Sequence, residues 1–176
     1  DYCQKVPDRL YGVAQISMYN IDNAIAEMER CKKAGIVGTM IWQVPDPKLP
    51  FTSEHYERFW AASQDLDLPV HLHILTGSGD SMNRQTSSGI QRYRIGTRQH
   101  REIEDALFDI IFSGVLDRYP KLKIVSVENE VGWMPFWLGQ CDKGFKRHRH
   151  REKIGIDKLP SEYFYRQVYA TFFNDH

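Results

Sequence analysis

The sequence predicts an α/β protein built on a parallel sheet. Five short β-type runs alternate with helical runs along the 176 residues. The apolar residues between those runs recur at helical spacing, so the connections read as crossovers rather than hairpins. No internal repeat of fixed period and no linker-like boundary divides the chain, so residues 1–176 are read as one domain.

The first strand is Tyr11 to Met18, and Asn20 is placed to cap a helix running to about Lys33. Ile21, Ala24, Ile25, Met28 and Cys31 form its apolar stripe, and Gly35 supplies the stop. The second strand is Ile36 to Gln43, followed by the turn-rich Val44 to Pro50. Thr52 or Ser53 caps the next helix, Phe51 staples onto Tyr56, and Phe59, Trp60 and Ser63 continue the inner stripe.

Leu68-Pro69 opens the third strand, Val70 to Leu75. Thr76 to Thr97 reads as one long loop rich in Gly, Ser, Asn, Gln and Arg, of the kind that covers sites. A helix through Ile103, Ala106, Leu107, Ile110 and Gly114 ends at Tyr119-Pro120. The fourth strand is Lys121 to Val127, and the next helix carries Trp133, Met134, Trp137, Leu138, Cys141 and Phe145. A charged stretch from Lys143 to Lys153 precedes the fifth strand, Val168 to Phe173. Two architectures remain open at this point: a doubly wound sheet, or an arc of a barrel that five strands cannot close.

Composition narrows the function. Lys+Arg 23 against Asp+Glu 23 gives zero formal net charge, with no global attraction to nucleic acid or anionic membrane. No apolar run is long enough to span a bilayer, and the first residues do not read as a signal peptide. Three widely spaced cysteines, Cys3, Cys31 and Cys141, make a disulfide framework or zinc ribbon a poor reading. A cytoplasmic protein without nucleic-acid or membrane partners is the resulting expectation.

Parallel α/β folds place chemistry at the carboxyl ends of their strands. That rule selects Gln43, His71 and His73, Glu128 and Glu130, and Asn174, Asp175 and His176. His71 and His73 are two apart, so in a strand they share a face. Imidazoles on a buried face need hydrogen-bond partners or a metal, and satisfied core histidines are the plain alternative. Glu128, at the end of the neighbouring strand, can share a divalent cation or a substrate with them.

His148 and His150 form a second HxH among dense positive charge, which opposes cation binding and reads as a solvated face. No phosphate-binding glycine loop and no GxSxG elbow is present. Cys141 lies among apolar neighbours and reads as packing.

Four segments are similar to one family. Phe112-Ser113-Gly114-Val115-Leu116-Asp117-Arg118-Tyr119-Pro120 leads into Lys121-Leu122-Lys123-Ile124-Val125, and Glu128-Asn129-Glu130-Val131-Gly132-Trp133-Met134-Pro135-Phe136 follows. Together with Leu68-Pro69-Val70-His71-Leu72-His73 and with Pro160-Ser161-Glu162-Tyr163-Phe164 followed by Val168-Tyr169-Ala170-Thr171-Phe172, they resemble the amidohydrolase-related metal-dependent hydrolases and decarboxylases. The resemblance implies a (β/α)8 TIM barrel, present here as a partial barrel lacking the first and last strands, hence an internal fragment. It also implies that His73 matches the fifth-strand metal ligand, and that Glu128 stands where many members place a sixth-strand His. The family's upstream HxH and closing Asp fall outside this chain.

The expected function is therefore that of a metal-dependent hydrolase or carboxy-lyase acting on a small carboxylated or aromatic molecule. Zinc is the first candidate cation and manganese the second. His73 is the metal ligand, and Glu128 and His71 orient substrate or move a proton. Gln43 and Arg92 contact substrate, with Arg84, Arg94 and Arg98 as further cations of the long loop. The alternatives are a non-catalytic barrel fragment used for interaction, or an open-sheet small-molecule-binding domain without metal. Free strand edges also leave room for a homodimer.

Overall fold

The computed structural model describes residues 2–79, 88–97, 100–152 and 154–173. Five parallel strands lie side by side: β1 (Val13–Gln15), β2 (Gly38–Val44), β3 (Val70–Gly77), β4 (Ile124–Val127) and β5 (Val168–Ala170). Their spatial order is their chain order, and every neighbouring pair is parallel. That order separates the two architectures. A doubly wound sheet reverses at a switch point, whereas a barrel adds each strand on the same side. The sheet is an arc of barrel wall.

Strand register divides the side chains between two faces. Gln15, Met40, His71, Val125 and Tyr169 make one cross-strand row, and Trp42, His73 and Val127 make the next row on the same face. This inner face is open: Val13 is 43% and Tyr169 55% exposed. Thr39, Val70, Ile124 and Val168 form the row on the other face, all buried beneath helices.

Local chemistry explains the helices. In α1 (Ile21–Lys33) the Asn20 Oδ1 accepts the Asn23 backbone N–H at 3.0 Å, and Ile21, Ala24, Met28 and Cys31 are buried. Ser53 caps a 3-10 turn that runs into α2 (Glu57–Asp65), and Phe51 packs on Tyr56 with ring centroids 5.3 Å apart. Phe59 and Trp60 are fully buried against the sheet layer.

The structure changes several expected boundaries. The stretch read as a loop contains α3 (Gly89–Gly96), a helix that buries no residue, which is why it left no apolar stripe to detect. The helix expected to run to Tyr119 is two helices, α4 (His100–Phe112) and α5 (Val115–Arg118). Gly114 breaks them apart with a left-handed φ of 78°. The helix α6 (Met134–His148) continues into the charged stretch, because exposed basic residues are good helix formers near a C-terminus. A final helix, α7 (Pro160–Gln167), begins with Pro at its first position and packs Tyr163 and Phe164 inward. Strands β1, β4 and β5 are shorter than the β-type runs that contain them.

One clasp ties α2 to α5. Glu57 accepts hydrogen bonds from Arg118 Nε at 3.2 Å and Tyr119 Oη at 2.9 Å, and pairs with Arg118 Nη2. Partial burial raises the Glu57 carboxyl, but the Arg118 and Tyr119 hydrogen bonds outweigh it and hold the group below its ordinary value. A carboxyl depressed on folding adds stability at neutral pH that is lost as pH falls through its folded-state value. Glu57→Gln is therefore expected to cost about 1 kcal/mol at pH 7, discounted for the partly exposed pair. The gap should narrow in denaturant titrations run at progressively lower pH below 4.5, the group's ordinary value. A pH-independent gap would refute the assignment.

Candidate metal and active site

The strand rule and the register together bring His73 and Glu128 into one place. His73 sits on the inner face of β3, paired in register with Trp42 on β2 and Val127 on β4. Glu128 is the next residue after Val127. Its carboxylate Oε2 lies 3.5 Å from His73 Nε2, with the two side chains 35% and 32% exposed.

The imidazole tautomer follows from its other nitrogen. His73 Nδ1 lies 2.8 Å from the Ile74 carbonyl oxygen. A carbonyl can only accept, so Nδ1 donates and a neutral ring presents its Nε2 lone pair toward Glu128. Two acceptors then face each other, an arrangement relieved by a proton or a cation between them. A backbone carbonyl on the far nitrogen is also the partner typical of a metal-bound histidine.

The backbone around the pair is irregular. β3 carries a register shift against β2 between Trp42 and Val44, and Leu75 has φ 64°. Thr76 Oγ1 donates to the His73 carbonyl at 2.6 Å and accepts the Gln43 N–H at 2.8 Å, clasping this bulge. Glu128 and Glu130 also adopt left-handed φ values of 63° and 56°. Such strain in non-glycine residues persists only when neighbours enforce it. Here the Glu128 N–H donates to Thr171 Oγ1 at 2.9 Å, and Asn129 Nδ2 donates to the Val127 carbonyl at 2.9 Å. The Trp133 indole N–H reaches the carbonyls of Asn129 and Glu130 at 2.8 and 3.2 Å.

Trp133 was expected on the helix stripe. It instead occupies the N-cap of α6, with its indole holding the Glu128–Glu130 turn. Trp133→Phe keeps an aromatic ring and deletes the donor. We expect a stability loss of about 1–2 kcal/mol, since the Asn129 carbonyl loses its partner. Divalent-cation affinity should fall by about tenfold, the lower end of the effect of removing supports around a metal site. Unchanged affinity by calorimetric titration would show that the turn holds its shape without the indole.

The other predicted residues divide. His71 shares the inner face with His73 but lies deeper, and its Nδ1 donates to the Thr39 carbonyl at 3.0 Å. Gly38 underlies that ring, where a Cβ would press on His71 Nδ1 at 3.1 Å. Gln43 does not join the pair. It alternates with Trp42 and shares the helix-covered face with Thr39 and Ile41, fully buried. Placement at a strand end was right, but strand parity turns the side chain away from His73. Arg92 and Arg94 are exposed on α3. His148 and His150 are exposed, as expected of a solvated face. Asn174, Asp175, His176, Arg84 and Arg98 lie outside the described residues.

Sequence reasoning missed Thr76, Thr171, Trp133 and Trp42. The first three act through backbone turns that leave no spacing signature. Trp42 pairs with His73 in register, and Tyr19 meets it edge-on with centroids 5.0 Å apart. They line a 440 Å³ recess at the carboxyl ends of β1 and β2, an aromatic wall beside the histidine.

Whether these residues fit a metal rests on their donor set. An imidazole lone pair and a carboxylate 3.5 Å apart are suitable ligands for a divalent cation. Among the described residues no three His, Cys, Asp or Glu side chains cluster closely enough to hold one. The pair thus fits part of a metal site.

Comparison with known proteins bears on the fold and the family. The gamma-resorcylate decarboxylase of Rhizobium sp. is 25% identical over 182 aligned positions, covering 99% of this chain and 52% of that protein. The structure of 5-carboxyvanillate decarboxylase from Sphingomonas paucimobilis superposes with TM-score 0.75 at 22% identity, over 96% of this chain and 50% of that one. A dihydroxybenzoic acid decarboxylase from Polaromonas sp., with bound manganese and the inhibitor 2-nitroresorcinol, superposes with TM-score 0.71 at 24% identity, over 97% and 52%. The chain spans about half the length of these proteins. No helix among the described residues is long and apolar enough to cross a membrane. The amidohydrolase family profile matches residues 1–173, nearly the whole sequence, and the chain belongs to that family.

Proposed function

We propose that this chain forms part of the active site of a metal-dependent decarboxylase acting on a small aromatic carboxylate. One observation carries the reading: the His73 Nε2 lone pair faces the Glu128 carboxylate across 3.5 Å, at the carboxyl ends of adjacent strands. Decarboxylation is preferred to hydrolysis because relatives that match the chain in sequence, the gamma-resorcylate decarboxylase among them, are decarboxylases.

His73 and Glu128 would hold the divalent cation, which would polarise the carboxylate or phenolate oxygens of a bound substrate. Manganese is found in the Polaromonas neighbour, and a mixed nitrogen and oxygen ligand set also suits zinc. The residues of the chain supply binding and proton movement. Trp42 and Tyr19 offer the aromatic wall on which a substrate ring can lie. His71 has Nδ1 committed to the Thr39 carbonyl, leaving Nε2 as the atom that can accept or return a proton. In the net reaction the bond between ring carbon and carboxylate breaks, CO2 leaves, and the carbon takes a proton. Arg92, on α3, is assigned to pairing with the substrate anion.

The test is metal analysis of the intact protein together with CO2 release from hydroxybenzoates. Stoichiometric manganese or zinc with turnover of at least one hydroxybenzoate is the expected result. Protein that binds neither ion would overturn the reading and favour the non-catalytic alternative. Sizing of the same preparation tests whether the intact protein is a homodimer, the assembly we propose.

A further inference from the structure

Gln43 opens onto a second cavity, on the helix-covered side of the sheet. Its side chain is fully buried, yet neither Nε2 nor Oε1 has a hydrogen-bond partner. A buried amide left unsatisfied at both ends costs several kcal/mol by transfer measures of roughly 2–7 kcal/mol per group, so it calls for an occupant. Gln43 lines a 410 Å³ space between the turn after β2 and one face of α4. That volume lies within the roughly 300–1,000 Å³ range of small-molecule sites.

The described residues of the lining that carry charge are acidic. Asp46, Glu102, Asp105 and Asp109 border the space, and among the described residues no Lys, Arg or His does. Glu102, Asp105, Ala106 and Asp109 recur at helical spacing, so one face of α4 presents the carboxylates together. Asp46 is partly committed, its Oδ1 accepting the Lys48 N–H at 2.9 Å. Burial, and then the charge of Asp105, push the Asp109 carboxyl above its ordinary value. A positive charge in the cavity would relieve that repulsion.

We infer that this cavity binds a small organic cation that carries both N–H donors and a neutral oxygen acceptor, such as an amino amide. The cationic group would answer Asp105 and Asp109. Gln43 would give its N–H to the ligand oxygen and take a ligand N–H on Oε1, a pairing that satisfies both ends of its amide. A bare metal ion fits less well, because no three of the described carboxylates, histidines or cysteines converge closely enough to hold one. The site lies on the opposite face of β2 from His73, so it stands apart from the proposed decarboxylase chemistry.

The test is calorimetric or NMR titration of the whole chain with L-argininamide, with acetamide as the neutral comparison. Saturable binding of argininamide but not acetamide is expected. Asp105→Asn combined with Asp109→Asn should weaken it at least about tenfold, as loss of charge-assisted hydrogen bonds does. Gln43→Met should weaken it as well, and thermal melts identify whether that core variant folds. Asp105→Asn alone changes an exposed residue and keeps the test available if Gln43→Met does not fold. Absence of saturation, or affinity unchanged in the aspartate variants, would overturn the proposal, as would a high-resolution structure soaked in argininamide with ordered water alone in the cavity.

Discussion

His73→Ala is expected to reduce both bound divalent metal and CO2 release at least about 100-fold in the intact protein. The loss should exceed the roughly 10–100-fold typical of removing a group that only supports a ligand. The reason is specific to the ring. Its Nδ1 is fixed on the Ile74 carbonyl, which aims Nε2 at Glu128 and leaves no other nitrogen to replace it. His73→Gln keeps polarity and much of the volume but not the lone pair in that position, and should fail similarly. Glu128→Gln retains shape and deletes charge, so metal affinity should fall while folding is kept. Both side chains are about one-third exposed, and melting temperatures should shift little. Full metal occupancy in His73→Ala would remove the basis for the proposed site. A drop in activity without loss of metal would move His73 from ligand to proton carrier.

Gly77→Ala is expected to give the largest change in stability, about 3 kcal/mol or more. Gly77 has φ 93°, a region that L side chains rarely adopt. A Cβ there would overlap the Val44 carbonyl oxygen and approach Trp42 Cβ at 3.0 Å. The obstruction is backbone across a sheet pairing, Val44 against Gly77, so neither side can move without breaking the register. A loss of this size lowers Tm by roughly 6–12 °C in a chain this long. Because Gly77 closes the bulge clasped by Thr76, the same substitution should also loosen His73. The control is Gly35→Ala, whose Cβ meets nothing within 4 Å at φ 86° and should cost only the left-handed strain of about 1–2 kcal/mol. Equal effects in the two variants would show that the Val44 contact relaxes.

The amino-acid sequence by itself determined the alternation of strand and helix, the cap at Asn20, a second cap at Thr52 or Ser53, and the common face of His71 and His73. These are local consequences of side-chain period and of hydrogen bonding within a few residues. It also placed His73 and Glu128 at strand ends, where the family resemblance supplied their roles. It was silent on α3, which buries nothing, and it ran α4 into α5, because an apolar stripe does not reveal that Gly114 turns left-handed. Only the tertiary structure decided the strand order, which bears out the barrel arc that the family resemblance implied and that side-chain period alone left open against a doubly wound sheet. It likewise decided which parity of β2 faces inward. Trp42 pairs beside His73, so Gln43 must point the other way, into a cavity of its own. The tautomer of His73 and the strained turn at Glu128 depend on carbonyls and hydroxyls brought together by folding, from Ile74, Thr171 and Trp133. Periodicity reports which residues share a face, but the register between strands fixes what that face meets.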